Sequence, residues 1–177
     1  MPKPTRAQFK AQIAAAAKRV CAPSGFPWQL PAAQACLESD YGQSVPTDIN
    51  NGKYSYNIFG IKGVGPHGAV LAWTSEYYPE AIANKLIAED KARATGIRKG
   101  HLVKVKIAGY FRAYLSFDES LQGYMQLMRA KRYKPVWEHR DDPVAAAKAV
   151  QACGYATDPA YAAKVVALMR AEGWLDR

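Results

Sequence analysis

The sequence contains little cysteine and histidine and no long apolar run. Its 177 residues include three cysteines and three histidines, and no Cys-x-x-Cys pair occurs. Because this spacing matches no zinc pattern, the sequence predicts no metal site. No stretch approaches the ~18 apolar residues of a membrane span, so we expect no membrane insertion. A hydrophobic fraction of 49% also excludes intrinsic disorder.

An apolar signal region is also missing after the basic N-terminal segment. Residues 11–20 carry a lysine and an arginine among alanines and are typical of an amphipathic helix. We therefore expect a chain without an ordinary secretory signal, made in the cytoplasm. Cys21, Cys36 and Cys153 are compatible with one disulfide or with three thiols, and Cys36 is interpreted as a packed small residue.

Acidic residues are few: 15 Asp and Glu stand against 24 Lys and Arg, a net charge of +9. This charge favours an anionic partner, which nucleic acid, an anionic membrane surface and the bacterial cell wall all provide, or it only maintains solubility. Residues 85–112 hold eight of the cations and two acids. Because no nucleic-acid-reading motif accompanies them, we expect no nucleic-acid partner.

The periodicity predicts an α+β chain, mainly helical, with a small β element. A capping box at Thr5 and Gln8 begins the first helix. The remaining predicted elements are a helix from about Pro27 to Tyr41, a strand at 70–74, a helix over about 79–94, a strand from His101 toward Tyr114, and helices after Ser116, Asp142 and Asp158. Without a repeat or a linker, residues 1–177 are predicted to form one domain, with the β part at about 50–115.

Glu38 is the first candidate catalytic residue. It lies near the end of an apolar helix, where weak solvation and the negative end of the helix dipole raise a carboxyl pKa. A raised pKa suits a general acid at neutral pH. The alternative interpretation is a solvent-facing glutamate at a helix terminus.

Glu76 is the candidate second carboxylate. It lies in or just after the strand at 70–74, and glycoside cleavage needs a second group that activates water or stabilises the oxocarbenium-like centre. Asp40, Asp48 and Glu80 compete for this role.

Aromatic residues are numerous, with 11 Tyr, four Trp and five Phe. Aromatic rings stack on sugar faces, although for any single residue a packing role is the better interpretation. The candidate substrate-binding residues are Tyr56, Phe59, Trp73 and Tyr77, with Asn57 presenting its amide to an N-acetyl group.

Five sequence blocks in order resemble glycoside hydrolase family 73, the flagellar and autolysin type of β-N-acetylglucosaminidase. They are Gln34-Ala35-x-Leu37-Glu38-Ser39-x-Tyr41-Gly42, Asn57-Ile58-Phe59-Gly60-Ile61-Lys62-Gly63, Trp73-Thr74-Ser75-Glu76-Tyr77, Phe111-Arg112-x-Tyr114-x-Ser116-x-x-Glu119-Ser120, and Gly154-Tyr155-Ala156-Thr157-Asp158-Pro159-x-Tyr161-Ala162. Each block is weak alone, and together they are specific.

The resemblance implies a lysozyme-like fold, in which an α-lobe and a small β-hairpin lobe flank a cleft. It also implies hydrolysis of the GlcNAc-β-1,4-MurNAc bond of peptidoglycan without a cofactor. By position, Glu38 is the general acid, Glu76 the second carboxylate, and Tyr155 a hydroxyl that aligns the N-acetyl group or water. The chain departs from the family at Asp40, where a small residue is usual, and over about 80–106, which is longer than the usual hairpin return.

Several functional alternatives share this resemblance. A lytic transglycosylase uses one glutamate, and a cell-wall-binding module has no activity. The short chain suits a phage endolysin or an antibacterial effector injected by a type VI secretion machine into the periplasm of a target cell. We favour the effector, which implies an acidic immunity protein that occludes the cleft.

Overall fold

The computed structural model describes residues 3–175, which form seven helices and one three-stranded sheet. The helices are α1 (Arg6–Cys21), α2 (Gln29–Glu38), α3 (Glu80–Ala88), α4 (Phe117–Met128), α5 (Lys134–Glu138), α6 (Pro143–Ala152) and α7 (Tyr161–Ala171). The strands are β1 (Ala69–Pro79), β2 (Ala92–Lys99) and β3 (Leu102–Arg112). The predicted α+β class is confirmed.

The chain divides into two compact units. The helical unit contains the residues up to Val45, Ile58–Gly60 and the residues from Leu115 onward, and it includes all helices except α3. The sheet unit contains 46–57 and 61–114. That 1–177 act as one catalytic domain, with the β part at about 50–115, stays a prediction.

The first helix begins as predicted. The Thr5 hydroxyl accepts from the Gln8 amide N–H at 3.2 Å, and the Gln8 side chain accepts from the Thr5 N–H at 2.9 Å. This reciprocal pair satisfies two amide groups that a helix start leaves without partners. Phe9 and Ile13, one turn apart on α1, are fully buried in the helical unit.

The second helix ends at Glu38, three residues before the predicted end at Tyr41. Asp40 and Tyr41 have φ values of 49° and 53°, in the left-handed region that cannot continue an α-helix. The Ser39 hydroxyl donates to the Ala35 carbonyl at 2.6 Å and accepts from the Gly42 N–H at 2.9 Å. This turn makes Glu38 the last helical residue.

Replacement of Gly42 by Ala is expected to destabilise the fold by about 2–4 kcal/mol. Gly42 has φ of 81°, and a Cβ atom there would overlap the Phe9 ring. Gly25 is the matched control, because it has φ of 65° and no atom within 4 Å of an added Cβ. Denaturant unfolding of G42A and G25A measures the difference, and equal losses would contradict the steric argument.

The sheet has the order β1-β3-β2 and is antiparallel throughout. Its central pairing is regular, from Ala69 opposite Arg112 to Pro79 opposite Leu102. The predicted helix over 79–94 is too long and the strand β2 is missing from the prediction. Most β2 side chains are exposed, so this edge strand lacks the alternation that marks a half-buried strand.

The two faces of the sheet differ in character. Side chains alternate along β1, so Thr74, Glu76 and Tyr78 lie on one face, which α3 partly covers. We call this the covered face, and its core contains Ala83, Ala92, Val103 and Val105. Trp73, Ser75 and Tyr77 lie on the other face, which we call the open face.

Helices α4 and α6 begin at their predicted caps, whereas the N-cap of α7 is Ala160, which provides no side-chain cap. Ser116 accepts from the Glu119 N–H at 3.2 Å at the start of α4, and Asp142 accepts from the Val144 N–H at 2.9 Å at the start of α6. Helix α7 begins at Tyr161, and the short helix α5 is absent from the prediction.

No helix within residues 3–175 has the length and apolar character needed to cross a membrane.

All three cysteines are free thiols. Cys36 is fully buried, which supports its interpretation as a packing residue. Burial raises the pKa of the Cys21 and Cys36 thiols to about 12, so neither is a thiolate near neutral pH.

Candidate active site

The Glu38 carboxyl lies at the C-terminal end of α2 and remains accessible to solvent. Partial burial raises its pKa above the ordinary value, and a hydrogen bond from the Tyr161 hydroxyl at 2.7 Å acts in the opposite direction. The negative end of the helix dipole also disfavours the charged form. The Glu38 carboxyl is therefore accessible to a substrate, and its protonated form is favoured, as a general acid requires.

A chain of hydrogen bonds leads to Glu38 from the interior of the helical unit. The Tyr124 hydroxyl donates to Gln34 Oε1 at 2.6 Å, and Gln34 Nε2 donates to the Tyr161 hydroxyl at 2.9 Å. Gln34 is fully buried, one turn before Glu38 on the same side of α2. Because Tyr161 accepts from Gln34, its own proton is directed at Glu38.

No role for Gln34, Tyr124 or Tyr161 follows from the sequence pattern. Gln34 and Tyr161 are separated by 127 positions, so no local pattern joins them. The available signal was a glutamine within an apolar helix, four residues before the candidate acid. Buried amides need hydrogen-bond partners, and the partners here are tyrosine hydroxyls.

Tyr155 lies in a cluster of tyrosines beside Glu38. Its ring centroid is 5.7 Å from that of Tyr161 and 6.4 Å from those of Tyr124 and Tyr133. Burial raises the pKa of Tyr155, and the charge of Glu38 raises it further. The Tyr155 hydroxyl thus stays protonated, and its role toward substrate stays a prediction.

Phe59 is 8% exposed, and its ring stacks on Tyr124 with centroids 4.6 Å apart. These contacts give Phe59 a packing role within the helical unit. Its predicted contact with substrate draws no support from this position.

Asn57 does not present its amide to a ligand, which corrects the expectation from the sequence. Its side-chain N–H groups donate to the carbonyls of Ile61 at 2.8 Å and Arg112 at 3.0 Å. Its Oδ1 accepts from the Ile61 N–H at 2.9 Å, and the residue is fully buried. Asn57 therefore closes the turn at 57–61 and fastens it to β3.

Glu76 lies on the covered face of the sheet unit. Its Oε1 pairs with Lys62 Nζ at 2.6 Å, and the Thr74 hydroxyl, two positions earlier on the same face, is 3.4 Å from the same oxygen. The carboxylate is half-buried. Lys62 and Glu76 are 14 positions apart, and the sequence pattern does not pair them.

Trp73 and Tyr77 lie on the open face, away from the face of Glu76. The Arg93 guanidinium is 4.2 Å from the Trp73 ring centroid, and Lys104 Nζ is 5.9 Å from that of Tyr77. Tyr56 has φ of 54°, and its ring packs edge-on against Tyr54 at 5.0 Å. Their predicted substrate contacts stay predictions.

The three competing carboxylates are each engaged elsewhere. Asp40 pairs with Arg6 at 2.9 Å. Asp48 accepts from the Leu71 N–H at 3.0 Å, and backbone hydrogen bonds lower its pKa. Arg98 pairs with Glu80 at 2.6 Å and lowers the pKa of that carboxyl.

Within residues 3–175, no three His, Cys, Asp or Glu side chains are grouped so as to hold a metal ion.

Known proteins are similar in sequence to this chain over most of its length. The sequence model of one family, described as mannosyl-glycoprotein endo-β-N-acetylglucosaminidase, matches residues 14–173. Peptidoglycan hydrolase FlgJ of Escherichia coli (strain K12) is 35% identical over 164 residues, which cover 92% of this chain and 45% of FlgJ. The chain thus spans less than half the length of this curated relative.

Solved structures share the fold. The catalytic domain of the autolysin Auto from Listeria monocytogenes matches with a TM-score of 0.71 at 27% identity, covering 98% of this chain and 88% of that one. A truncated glycoside hydrolase domain of FlgJ from Salmonella typhimurium matches with a TM-score of 0.68 at 29% identity, covering 97% and 100%. The expected lysozyme-like fold is confirmed, and the chain belongs to the glucosaminidase family, glycoside hydrolase family 73.

Proposed function

We propose that this protein is a peptidoglycan hydrolase that cleaves the GlcNAc-β-1,4-MurNAc bond with Glu38 as general acid. The observation that carries the proposal is the Glu38 carboxyl, accessible, raised in pKa by burial and held by Tyr161 at 2.7 Å. Membership of the glucosaminidase family supports the substrate class.

The proposed reaction begins when protonated Glu38 gives its proton to the glycosidic oxygen as the bond to the sugar carbon breaks. The Tyr161 hydroxyl then stabilises the Glu38 carboxylate that forms. Glu76, as the second carboxylate, stabilises the oxocarbenium-like centre or activates water. Tyr155 contributes a neutral hydroxyl that aligns water or the N-acetyl group.

Mass spectrometry of digested muropeptides tests the proposed bond. Fragments with reducing GlcNAc ends support the proposal. Fragments with 1,6-anhydroMurNAc ends would identify a lytic transglycosylase instead. Binding to cell walls without any new ends would identify a cell-wall-binding module.

For the biological setting we propose an antibacterial effector that type VI machinery delivers to the periplasm of a target bacterium. The net charge of +9 supports an acidic immunity protein as its partner. Expression directed to the periplasm should lyse cells, and co-expression of the neighbouring gene should protect them. A holin gene beside this one would instead favour a phage endolysin.

The Tyr161→Phe variant should move the alkaline limb of the activity profile to higher pH. The Tyr161 hydrogen bond favours the Glu38 carboxylate and lowers its pKa, so its loss raises the pKa further. Since the acid works in its protonated form, kcat/KM persists to higher pH by about half a unit to one unit, while kcat falls about tenfold.

The control for this pH profile is Tyr54→Phe, because the buried Tyr54 hydroxyl has no hydrogen-bond partner. Its alkaline limb should coincide with that of the wild type. An unmoved limb in Tyr161→Phe would show that Tyr161 does not set the protonation of the catalytic acid.

A further inference from the structure

The open face of the sheet carries exposed aromatic rings among cations. Trp73 is 38% exposed, Tyr77 42% and Tyr110 63%. Directly opposite Tyr77 on β3 is Lys104, and Lys106 lies opposite Arg93 of β2. Large exposed aromatic side chains grouped on one surface indicate a site of interaction.

The charge of this face has one sign. Pairing across the strands places Arg93, Lys99, Lys104 and Lys106 on it, and no strand position of this face carries an acidic side chain. Other cations of residues 85–112 form ion pairs, since Arg98 pairs with Glu80 and Lys91 pairs with Glu89. The surface therefore attracts an anion rather than completing an internal ion pair.

Cations lie over two of the rings. The Arg93 guanidinium lies 4.2 Å from the Trp73 centroid, and Lys104 Nζ lies 5.9 Å from that of Tyr77. Positions 73 and 77 on one strand are about 13 Å apart, because each residue advances the chain by about 3.3 Å. The rings of β1 therefore have cations of β2 and β3 beside them on the open face.

These rings and cations lie on the other face of the sheet from the candidate catalytic carboxylate of the sheet unit. Glu76 and its partner Lys62 lie on the covered face, with Thr74. A polymer held against Trp73 and Tyr77 is thus on the opposite side of the strand from Glu76. Binding there leaves Glu76 free.

We propose that the open face is an accessory site for uncleaved peptidoglycan, in which the rings stack on sugars and the cations pair with stem-peptide carboxylates. The inference rests on the proposed function for its choice of glycan. A polymer that carries charge but no flat groups would not stack on the three exposed rings. Single-stranded nucleic acid also offers flat rings and charge, and it is an outcome of the test.

Cosedimentation with purified sacculi tests the site. The full chain carries Glu38→Gln so that the sacculi stay intact. Adding Arg93→Gln, Lys104→Gln and Lys106→Gln should weaken binding about tenfold, the sum of three surface charge contacts. The matched control removes the same charge from exposed lysines of the helical unit, with Lys131→Gln, Lys134→Gln and Lys148→Gln, and should bind within twofold of the parent.

Two further measurements identify the ligand. Sacculi whose carboxylates have been amidated should bind the parent about as weakly as native sacculi bind the triple variant. Trp73→Ala should weaken binding to native sacculi, and Trp73→Phe should restore most of it. Equal loss of binding in the triple variant and in its matched control, or tighter binding to a single-stranded oligonucleotide than to sacculi, would overturn the proposal.

Cleavage of a short soluble glycan separates this site from the catalytic proposal. With Glu38 present, the triple variant should cleave the short substrate at the wild-type rate and digest sacculi more slowly. Equal loss on both substrates would overturn the accessory site. If the wild-type protein binds sacculi but cleaves neither substrate, the proposed hydrolase activity is overturned and the accessory binding site is retained.

Discussion

Glu38→Gln is expected to lower the hydrolysis of purified cell walls about a thousandfold. A positioned general acid contributes a factor of about 10² to 10⁴. Glutamine has no acidic proton to give to the leaving oxygen, yet its side-chain oxygen can still accept the Tyr161 hydrogen bond. The variant therefore removes the chemistry while it preserves the contact. Loss of turbidity of a cell-wall suspension measures the rate.

The matched control for Glu38→Gln is Glu138→Gln. Glu138 is also the last residue of a helix in the helical unit, and its exposed carboxylate makes only a loose contact with Lys134 at 3.9 Å. It should retain activity within twofold. Unchanged activity in Glu38→Gln, with the thermal unfolding of both variants unaltered, would remove Glu38 from the reaction.

The sequence could indicate Glu38 as a candidate because its signal is local. The carboxylate was expected near the end of an apolar helix, and the observed helix end at Glu38 agrees with that position. The partners of Glu38 were not predictable in the same way. Tyr161 is 123 positions away and lies in another helix, so only the folded chain joins the two.

Asn57 shows the opposite error. An asparagine in a glycine-rich segment has the chemistry to bind an N-acetyl group, and the sequence alone favoured that role. The same donors and acceptor also suit a tight turn, and in the structure they close the turn at 57–61. Backbone groups compete with ligands for a short amide, and a sequence pattern does not show which of them wins.

The sheet was predictable only in the strands whose buried and exposed residues alternate. β3 alternates buried and accessible residues, as its period-two pattern predicted. β2 exposes most of its side chains and pairs only with β3, so no apolar alternation distinguishes it from a loop. The missed strand also concealed the open face, because Arg93 reaches Trp73 only when β2 is in register beside β3.

Glu76→Gln is expected to lower turnover about a hundredfold while binding to sacculi stays unchanged. The ion pair with Lys62 at 2.6 Å holds Glu76 on the covered face, away from the aromatic rings of the open face. Glutamine keeps the size of the side chain but loses the negative charge that stabilises the oxocarbenium-like centre or activates water. Initial rates on a soluble glycan, together with cosedimentation, separate turnover from binding.

Glu80→Gln is the control for the second carboxylate, because Glu80 is a nearby acid of the sheet unit whose charge Arg98 already engages at 2.6 Å. It should retain turnover within twofold. A large loss in Glu80→Gln with activity retained in Glu76→Gln would transfer the role to Glu80. If both variants remain active while Glu38→Gln is inactive, one glutamate suffices, and assistance from the substrate's own N-acetyl group becomes the supported mechanism. If Glu76→Gln instead loses turnover as expected, the configuration of the first product decides between its two roles, since a nucleophilic carboxylate retains the anomeric configuration and a base-activated water inverts it.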